Sequence, residues 1–129
     1  MKNKAVFLDR DGVIIEDKHY LTDKNQLTLL PGVGKALQYL KQKDYLLIVI
    51  TNQSVIARKM CTEAQLNEIH MTLHTLLTPY NVTLDAIYYC PHHPEFKYKN
   101  ITHCNCRKPK PGLLLNAIKN HNIDIKNSF

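Results

Sequence analysis

Short apolar runs alternate along this chain with stretches of helical periodicity, and this alternation leaves few architectures open. Residues 5–8 and 45–50 are apolar runs typical of buried strands. Between them, residues 32–43 follow Pro31 and place apolar side chains at helical spacing. The start of the chain therefore predicts a β-α-β unit.

The same alternation continues further along the chain. A capping-box pattern at Thr62 opens a predicted helix with a leucine-rich stripe, which ends before Pro79. Residues 84–90 indicate a third strand, an irregular stretch follows over residues 91–110, and Pro111 opens a last helix. This order predicts an α/β fold, an open parallel Rossmann-like sheet with helices on both faces. Ligands are expected beyond the carboxyl ends of its strands.

The composition is that of an ordinary globular protein. The chain has 129 residues, of which 44% are hydrophobic, and this favours one domain spanning residues 1–129. Its apolar runs are far shorter than the roughly 20 residues of a membrane span, and its N-terminus lacks a signal-sequence pattern. We therefore predict a cytoplasmic protein that does not bind membranes. Because the cytosol keeps thiols reduced, its four cysteines are interpreted as thiols or metal ligands.

Two carboxylates, Asp9 and Asp11, follow directly after the first predicted strand. In an extended chain the alternation of side chains puts both on one side and turns Arg10 away. Such a pair can transfer a phosphoryl group, because one carboxylate can attack phosphorus while the other serves as general acid and base. Mg²⁺ would offset their charge beside a phosphate. The alternative is a solvated turn, in which aspartate and glycine are frequent.

A second polar segment, residues 51–54, follows the next predicted strand. The ends of these two strands should be neighbours. The hydroxyl of Thr51 and the backbone N–H groups around Asn52 can then bind phosphate oxygens beside the carboxylates. Taken alone, the segment is more simply interpreted as a polar cap on a strand.

Cysteine and histidine residues form a close pair at each end of residues 90–106. The pairs are Cys90 with His92 and Cys104 with Cys106. Three thiolates and one imidazole complete a tetrahedral structural zinc site with no open position for a catalytic water. His92 is preferred because Cys-x-His then matches Cys-x-Cys, while His93 and His103 remain alternatives. Without a metal these would be unliganded thiols in an irregular loop.

Basic residues gather directly after the last cysteine, at Arg107 and Lys108. A zinc-fixed loop would hold these two cations rigidly, as a phosphate clamp requires; the alternative is a basic loop flanking a helix start. The net charge of +6 also favours an anionic partner. Because the loop lacks interleaved aromatic residues and a basic recognition helix, we predict a phosphorylated small molecule and no nucleic acid.

Together these motifs resemble those of the haloacid dehalogenase superfamily. Residues 7–12, Phe-Leu-Asp-Arg-Asp-Gly, are similar to its first motif, residues 51–54 to its second and residues 106–112 to its third. Residues 88–94, Tyr-Tyr-Cys-Pro-His-His-Pro, resemble the capless, zinc-loop phosphatases related to D-glycero-D-manno-heptose 1,7-bisphosphate phosphatase and the histidinol-phosphate phosphatases. The resemblance covers nearly the whole chain. It implies a magnesium-dependent phosphatase for a heptose bisphosphate, with histidinol phosphate as the alternative substrate.

The resemblance also implies roles for individual residues. Asp9 would be the nucleophile and Asp11 the acid/base, with Mg²⁺ held by the Asp9 carboxylate and the Asp11 backbone carbonyl. The implied ligands of a structural Zn²⁺ are Cys90, His92, Cys104 and Cys106. The implied substrate-binding residues are Asp17, Lys18, His19, Tyr20, Thr51, Asn52, Gln53, Ser54, Arg107 and Lys108. Of these, Arg107 indicates a second anionic group on the substrate, and Lys108 would neutralise the transferred phosphoryl group.

One feature of the family is absent from these 129 residues. The fourth motif, Gly-Asp-x-x-x-Asp, would supply a further Mg²⁺ ligand, and the C-terminal strands that carry it are missing. We therefore expect activity that is much reduced or absent; the alternative is an inactive zinc-stabilised module that binds an anion or a protein. The complete family fold is monomeric, whereas an exposed apolar edge at residues 5–8 would favour self-association.

Overall fold

A computed structural model describes residues 2–129 and confirms the predicted alternation of strands and helices. The elements are β1 (Ala5–Leu8), α1 (Val33–Gln42), β2 (Leu46–Asn52), α2 (Glu63–Leu77), β3 (Ala86–Cys90) and α3 (Gly112–His121). Short 3₁₀ turns cover Lys24–Gln26, Thr78–Tyr80 and Ile125–Asn127. Within residues 2–129, no helix has both the length and the apolar character that crossing a membrane requires.

The three strands form one parallel sheet in the order β1-β2-β3. The register aligns Leu8 with Val49 and Asn52 with Cys90. β2 ends two residues later than predicted, because Thr51 and Asn52 continue the ladder opposite β3. Because the strands are parallel, their carboxyl ends meet at one edge of the sheet. The Asp9 and Asp11 segment, residues 51–54 and residues 90–106, called the cysteine loop below, all begin there.

Each face of the sheet has its own hydrophobic core. Leu47 and Val49 of β2 are fully buried in the core that contains the leucines of α1 and α2. Ile48 and Ile50 alternate with them and belong to a second core, which includes Ala117 of α3. Helices therefore cover both faces, as the near-continuous apolar pattern of β2 predicted.

Local signals fix the ends of α2. The Gln65 backbone N–H donates to Thr62 Oγ1 and the Thr62 N–H donates to Gln65 Oε1, which is the predicted capping box. At its other end, α2 stops at Leu77 and tightens into a 3₁₀ turn containing Pro79. A cap of this kind stabilises a helix by about 1 kcal/mol. The register of α2 matters for the site, because α2 carries the buried His70.

The outer side of β1 is partly paired. The Phe129 N–H donates to the Ala5 carbonyl, and the Phe7 N–H donates to the Phe129 carbonyl, at 3.0 and 2.8 Å. Residue 129 thus lies beside β1 in the position of a further strand. Next to it, an open cavity of about 630 Å³ is lined by apolar side chains that include Phe7 and Leu114.

Candidate active site

A polar cavity of about 300 Å³ lies at the carboxyl edge of the sheet. Its lining brings together most of the predicted catalytic and substrate-binding residues, with Leu21 and Val55 beside them. The predicted residues are Asp9, Asp11, Asp17, Tyr20, Asn52, Gln53, Ser54, Arg107 and Lys108. These residues come from the ends of β1 and β2 and from the basic loop before α3. The cavity holds several carboxylates and two cations, which suits an anionic ligand that also binds a metal.

Asp9 faces this cavity beside a lysine. Lys108 Nζ lies 3.0 Å from Asp9 Oδ2 and also donates to the carbonyl of Ile50 at 2.9 Å. Asp9 Oδ1 accepts from the backbone N–H of Arg10 at 2.7 Å. The side chain of Asp9 remains 43% exposed. The carboxylate is therefore oriented by fixed donors and still open to a ligand.

Asn52 fixes the basic loop to the end of β2. Its Oδ1 accepts from the backbone N–H of Lys108 at 2.9 Å, and its Nδ2 donates to the Lys108 carbonyl at 3.3 Å. Both ends of the amide are engaged with the protein. In this arrangement Asn52 positions Lys108, a role that the sequence did not predict for it.

The prediction that Arg10 points away from the carboxylates is wrong. The extended chain ends at Leu8, and the backbone then turns, so that the N–H groups of Val13 and Ile14 donate to the Arg10 carbonyl. The turn folds Arg10 beneath the site, where its side chain is fully buried. A buried guanidinium needs an anionic partner and further hydrogen bonds, because removing its charge from water costs several kcal/mol.

Asp11 is the anionic partner of Arg10. Asp11 Oδ1 accepts from Arg10 Nε and Nη2 at 3.3 and 3.0 Å. Asp11 Oδ2 accepts from Arg10 Nη2 at 3.1 Å and from Gln53 Nε2 at 2.8 Å. A carboxylate has about four acceptor positions, and these contacts occupy all of them. Arg10 and Gln53 thus hold the Asp11 carboxylate in one orientation.

His70 of α2 completes this network. Its Nε2 lies 3.1 Å from Arg10 Nη1, and burial together with the charges of Arg10 and His74 lowers the pKa of His70 to about 3. The ring is therefore neutral and accepts the hydrogen bond. The Gln53 Oε1 accepts another from Arg10 Nη2 at 3.0 Å. Sequence reasoning missed His70, whose one signal was a histidine on the apolar face of a helix.

Other predicted substrate residues lie elsewhere. Thr51 is buried, and its Oγ1 accepts from Gln53 Nε2 at 3.0 Å, so it supports the network and does not line the cavity. Lys18 pairs with Glu16 at 2.8 Å, and the His19 backbone N–H donates to Asp17 Oδ1. Neither Lys18 nor His19 lines the cavity, although Asp17 and Tyr20 of the same loop do.

The sulfur and imidazole atoms of the cysteine loop gather in one cluster. The ligand atoms of Cys90, His92, Cys104 and Cys106 lie within 4.8 Å of one another. The Sγ of Cys104 lies 3.5 Å from that of Cys90 and 3.4 Å from that of Cys106, while Cys90 and Cys106 are 2.7 Å apart. Tetrahedral Zn–S bonds of about 2.3 Å separate sulfurs by roughly 3.8 Å, close to two of these distances. The four residues could therefore hold a metal ion.

His92 is the histidine that joins the thiols. His92 Nδ1 lies 3.4 Å from the Sγ of Cys106 and 3.6 Å from that of Cys90. His93 turns the other way, toward Arg58. Burial and hydrogen bonding to Cys106 raise the pKa of Cys90.

The cysteine loop positions the cations of the cavity. Arg107 Nη1 donates to the His92 carbonyl at 3.0 Å, and Lys110 Nζ donates to the Cys104 carbonyl at 3.0 Å. The Gly112 N–H donates to the carbonyl of Asn105 at 2.7 Å, an approach so close that a Cβ at position 112 would collide with that oxygen. The loop, its basic segment and the start of α3 therefore form one connected unit.

Glu63 anchors this loop to α2. Its two carboxylate oxygens accept from the hydroxyl groups of Tyr98 and Tyr89, at 2.8 and 2.9 Å. These hydrogen bonds lower the pKa of Glu63. Burial and the bond to Glu63 in turn raise the pKa of Tyr89 to about 12.

Known proteins share this fold and sequence. A family model described as polynucleotide kinase 3 phosphatase matches residues 4–129. The D-glycero-beta-D-manno-heptose-1,7-bisphosphate 7-phosphatase of Pasteurella multocida is 48% identical over 126 residues, which cover 98% of this chain and 68% of that protein.

Solved structures agree with these sequence relatives. A HAD-like phosphatase from Mesorhizobium loti superposes with a TM-score of 0.92 at 30% identity, covering 98% of this chain and 61% of that one. A D,D-heptose 1,7-bisphosphate phosphatase from B. bronchiseptica, complexed with magnesium and phosphate, gives a TM-score of 0.84 at 35% identity and covers 94% and 65%.

By its fold and its match over residues 4–129, this chain belongs to the haloacid dehalogenase-like phosphatases. Within that class it falls in the family of the D-glycero-beta-D-manno-heptose-1,7-bisphosphate 7-phosphatases, which confirms the resemblance found in the sequence. The chain spans 61–68% of the length of the three relatives described.

Proposed function

We propose that this chain carries the reaction centre of a phosphatase that hydrolyses D-glycero-D-manno-heptose 1,7-bisphosphate. The observation that carries the proposal is the half-exposed carboxylate of Asp9, aligned by Lys108 and the Arg10 N–H in a cavity that also presents Arg107. The names of the sequence relative and of the magnesium- and phosphate-bound structure support the choice of substrate.

The proposed reaction has two steps. Asp9 attacks phosphorus and forms an aspartyl phosphate, while the bond from phosphorus to the sugar oxygen breaks and Asp11 gives a proton to that oxygen. Asp11 then takes a proton from water, which attacks the aspartyl phosphate and releases inorganic phosphate with Asp9 restored. Lys108 offsets the charge of the phosphoryl group in both steps.

Asp11 must give a proton in the first step, yet in the structure its carboxylate oxygens accept hydrogen bonds from Arg10 and Gln53. We propose that ligand binding draws Asp11 out of one of these hydrogen bonds, while Arg10 keeps the rest of the carboxylate in place. Arg10 and Gln53 are then positioning residues for the acid/base, and His70 positions Arg10.

The substrate side of the cavity favours a second anionic group. Arg107 lines the cavity and is oriented by the His92 carbonyl, while Lys108 is engaged with Asp9. A substrate with two phosphates can use one cation at each end, whereas a monophosphate leaves Arg107 without an anionic partner. This supports a small phosphorylated sugar as the partner, with no nucleic acid or membrane required.

The donor set fits Mg²⁺. This ion takes one or two carboxylates and completes its octahedron with water and substrate phosphate oxygens. Asp9 offers an accessible carboxylate in the cavity, and the family resemblance adds the Asp11 backbone carbonyl. When bound, the ion supplies positive charge that offsets the phosphoryl oxygens and the attacking carboxylate.

We further propose that Cys90, His92, Cys104 and Cys106 hold a structural Zn²⁺. Three thiolates and one imidazole leave no open coordination position, so the ion would stabilise the loop and take no part in the reaction. Thiols that must stay reduced for this purpose are consistent with a cytoplasmic location.

A substrate panel tests the proposal. Phosphate release would be measured with Mg²⁺ from heptose 1,7-bisphosphate, histidinol phosphate and a 3′-phosphorylated oligonucleotide. We expect phosphate release to be slow, with the highest kcat/KM for the heptose bisphosphate, and removal of Mg²⁺ by chelation should abolish it. Preference for either other substrate would overturn the proposed specificity, and release from none of the three would overturn the phosphatase assignment for this chain.

A further inference from the structure

Arg58, which lies just beyond residues 51–54, is placed between two loops that border the cavity. Its guanidinium carbon lies 4.8 Å from the ring centre of Tyr20 and 4.7 Å from that of Phe96. Tyr20 belongs to the loop of residues 17–20 and Phe96 to the cysteine loop. Arginine stacks well on aromatic rings, since its planar cation is attracted to the negative ring face.

The same side chain reaches a third segment. Arg58 Nε donates to Ser54 Oγ at 3.2 Å, and Ser54 and Tyr20 both line the cavity. Arg58 Nη2 also lies 3.2 Å from His93 Nε2. On the other side of that ring, His93 Nδ1 accepts from the Glu95 N–H at 3.0 Å.

The loop of residues 17–20 needs such an external contact. His19 and Tyr20 both have positive φ angles, 48° and 47°, which are unfavourable for residues other than glycine. Tyr20 is 51% exposed, so burial does little to hold it. The backbone preferences of the loop therefore disfavour the conformation that puts Tyr20 at the cavity. The stacking of Arg58 on the Tyr20 ring offsets this cost.

We propose that Arg58 is a positioning residue that ties loop 17–20 to the cysteine loop and so builds the wall of the cavity that meets the sugar. It does not contact the phosphoryl-transfer end, where Asp9 and Lys108 lie. Its effect on a ligand should therefore depend on the sugar and not on the transferred phosphate. This specificity role rests on the proposed function, whereas the tie between the loops does not.

Hydrogen exchange of Arg58→Gln tests the tie directly. Lys59→Asn is the matched control, because it removes the same charge from the next residue, which is exposed and has a φ of 61° that asparagine tolerates. We expect backbone exchange in residues 17–20 and 93–98 to rise at least about fivefold in Arg58→Gln, with the native rate in the control. Unchanged exchange in either loop, or equal changes in both variants, would overturn the tie.

Ligand binding tests the specificity role. With Mg²⁺ and an Asp9→Asn background that prevents turnover, calorimetry would compare heptose 1,7-bisphosphate with inorganic phosphate. Arg58→Gln should weaken the sugar bisphosphate about tenfold and inorganic phosphate less than twofold. Equal weakening of both, or no weakening, would overturn the role. If the background chain binds no sugar bisphosphate, the proposed substrate and this role both fail, while the exchange result still decides the tie.

Discussion

Two loops at the carboxyl edge of the same sheet are held by different physical means. The loop after β1 is held by the buried guanidinium of Arg10, which binds Asp11 directly, and by Gln53 and His70 from distant parts of the chain. The loop after β3 is held by a cluster of three thiols and one imidazole from a single segment. The first arrangement is complete within the protein, whereas the second would be completed by the metal ion proposed above. The comparison predicts that each loop can be loosened without the other.

Zinc removal should have the largest effect, confined at first to the cysteine loop. Cys106→Ser removes one of four ligands, so zinc content should fall from about one per chain and stability by several kcal/mol, because metal binding and loop folding are linked. Metal analysis and thermal unfolding would measure both.

Cys61→Ser is the control for that experiment, because Cys61 is a buried thiol outside the cluster. It should keep the full zinc content. A native zinc content in Cys106→Ser, or no zinc in the unmodified chain, would contradict the proposed metal site.

Loss of the buried cation should have the next largest effect. Arg10→Met removes the partner of Asp11 and the donor to His70, and should destabilise the protein by about 2–4 kcal/mol in chemical unfolding. Zinc content should remain native, since the cysteine loop has its own support. Loss of zinc together with stability would show that the two loops are one unit, against the comparison.

Lys18→Met offers a matched control, because it breaks an ion pair whose side chains are 36% and 46% exposed. Exposed pairs contribute little, so the change in stability should stay within about 0.5 kcal/mol. A cost equal to that of Arg10→Met would mean that loss of charge, and not the buried network, explains both results.

Acid should weaken the Arg10 network through His70. The pKa of His70 is about 3 in the folded protein, against an ordinary value of 6.5 when unfolded. Between these values the unfolded chain binds a proton that the native chain does not, so stability falls as pH drops from about 6.5, by up to about 1.4 kcal/mol per pH unit. His70→Gln keeps an acceptor but cannot titrate. Its stability should vary less over pH 4–6.5, and identical slopes would contradict a neutral, buried His70.

Loss of the Glu63 carboxylate, which binds the hydroxyl groups of Tyr98 and Tyr89, should have the smallest effect on stability. Tyr98 and Tyr89 lower the pKa of Glu63, so its contribution is present above its ordinary value of 4.5 and is lost as pH falls through the lowered value. The carboxylate is 37% exposed, so solvent screening limits the cost of Glu63→Gln to below about 1 kcal/mol at pH 7. Chemical unfolding at pH 7 and pH 3 would test this, and a difference that persists at pH 3 would contradict it.

The same comparison explains what could be predicted from the sequence. The Cys/His cluster comes from one loop and the cap at Thr62 from residues three positions apart, so sequence patterns predicted both groupings. The network under Asp11 joins Arg10 to Gln53 and His70, which only the packing of α2 against the sheet brings together.

The prediction from strand alternation failed where the backbone leaves the extended conformation. The alternation of an extended chain turned Arg10 away, but the strand ends at Leu8 and the following turn buries that side chain. The resemblance implied that Gln53 binds substrate; Gln53 lines the cavity, and its amide also contacts Asp11 and Thr51. The motifs brought their residues to one cavity, whereas the hydrogen bonds among those residues depend on tertiary contacts.

The central claim is that Asp9 forms a covalent bond to phosphorus, and its direct measurement is the capture of that bond. Chain in excess would be mixed with Mg²⁺ and heptose 1,7-bisphosphate labelled in the 7-phosphate, then quenched in acid, in which acyl phosphates persist. We expect label on the native protein that hydroxylamine removes, and none on Asp9→Asn. Label retained by Asp9→Asn would contradict the account.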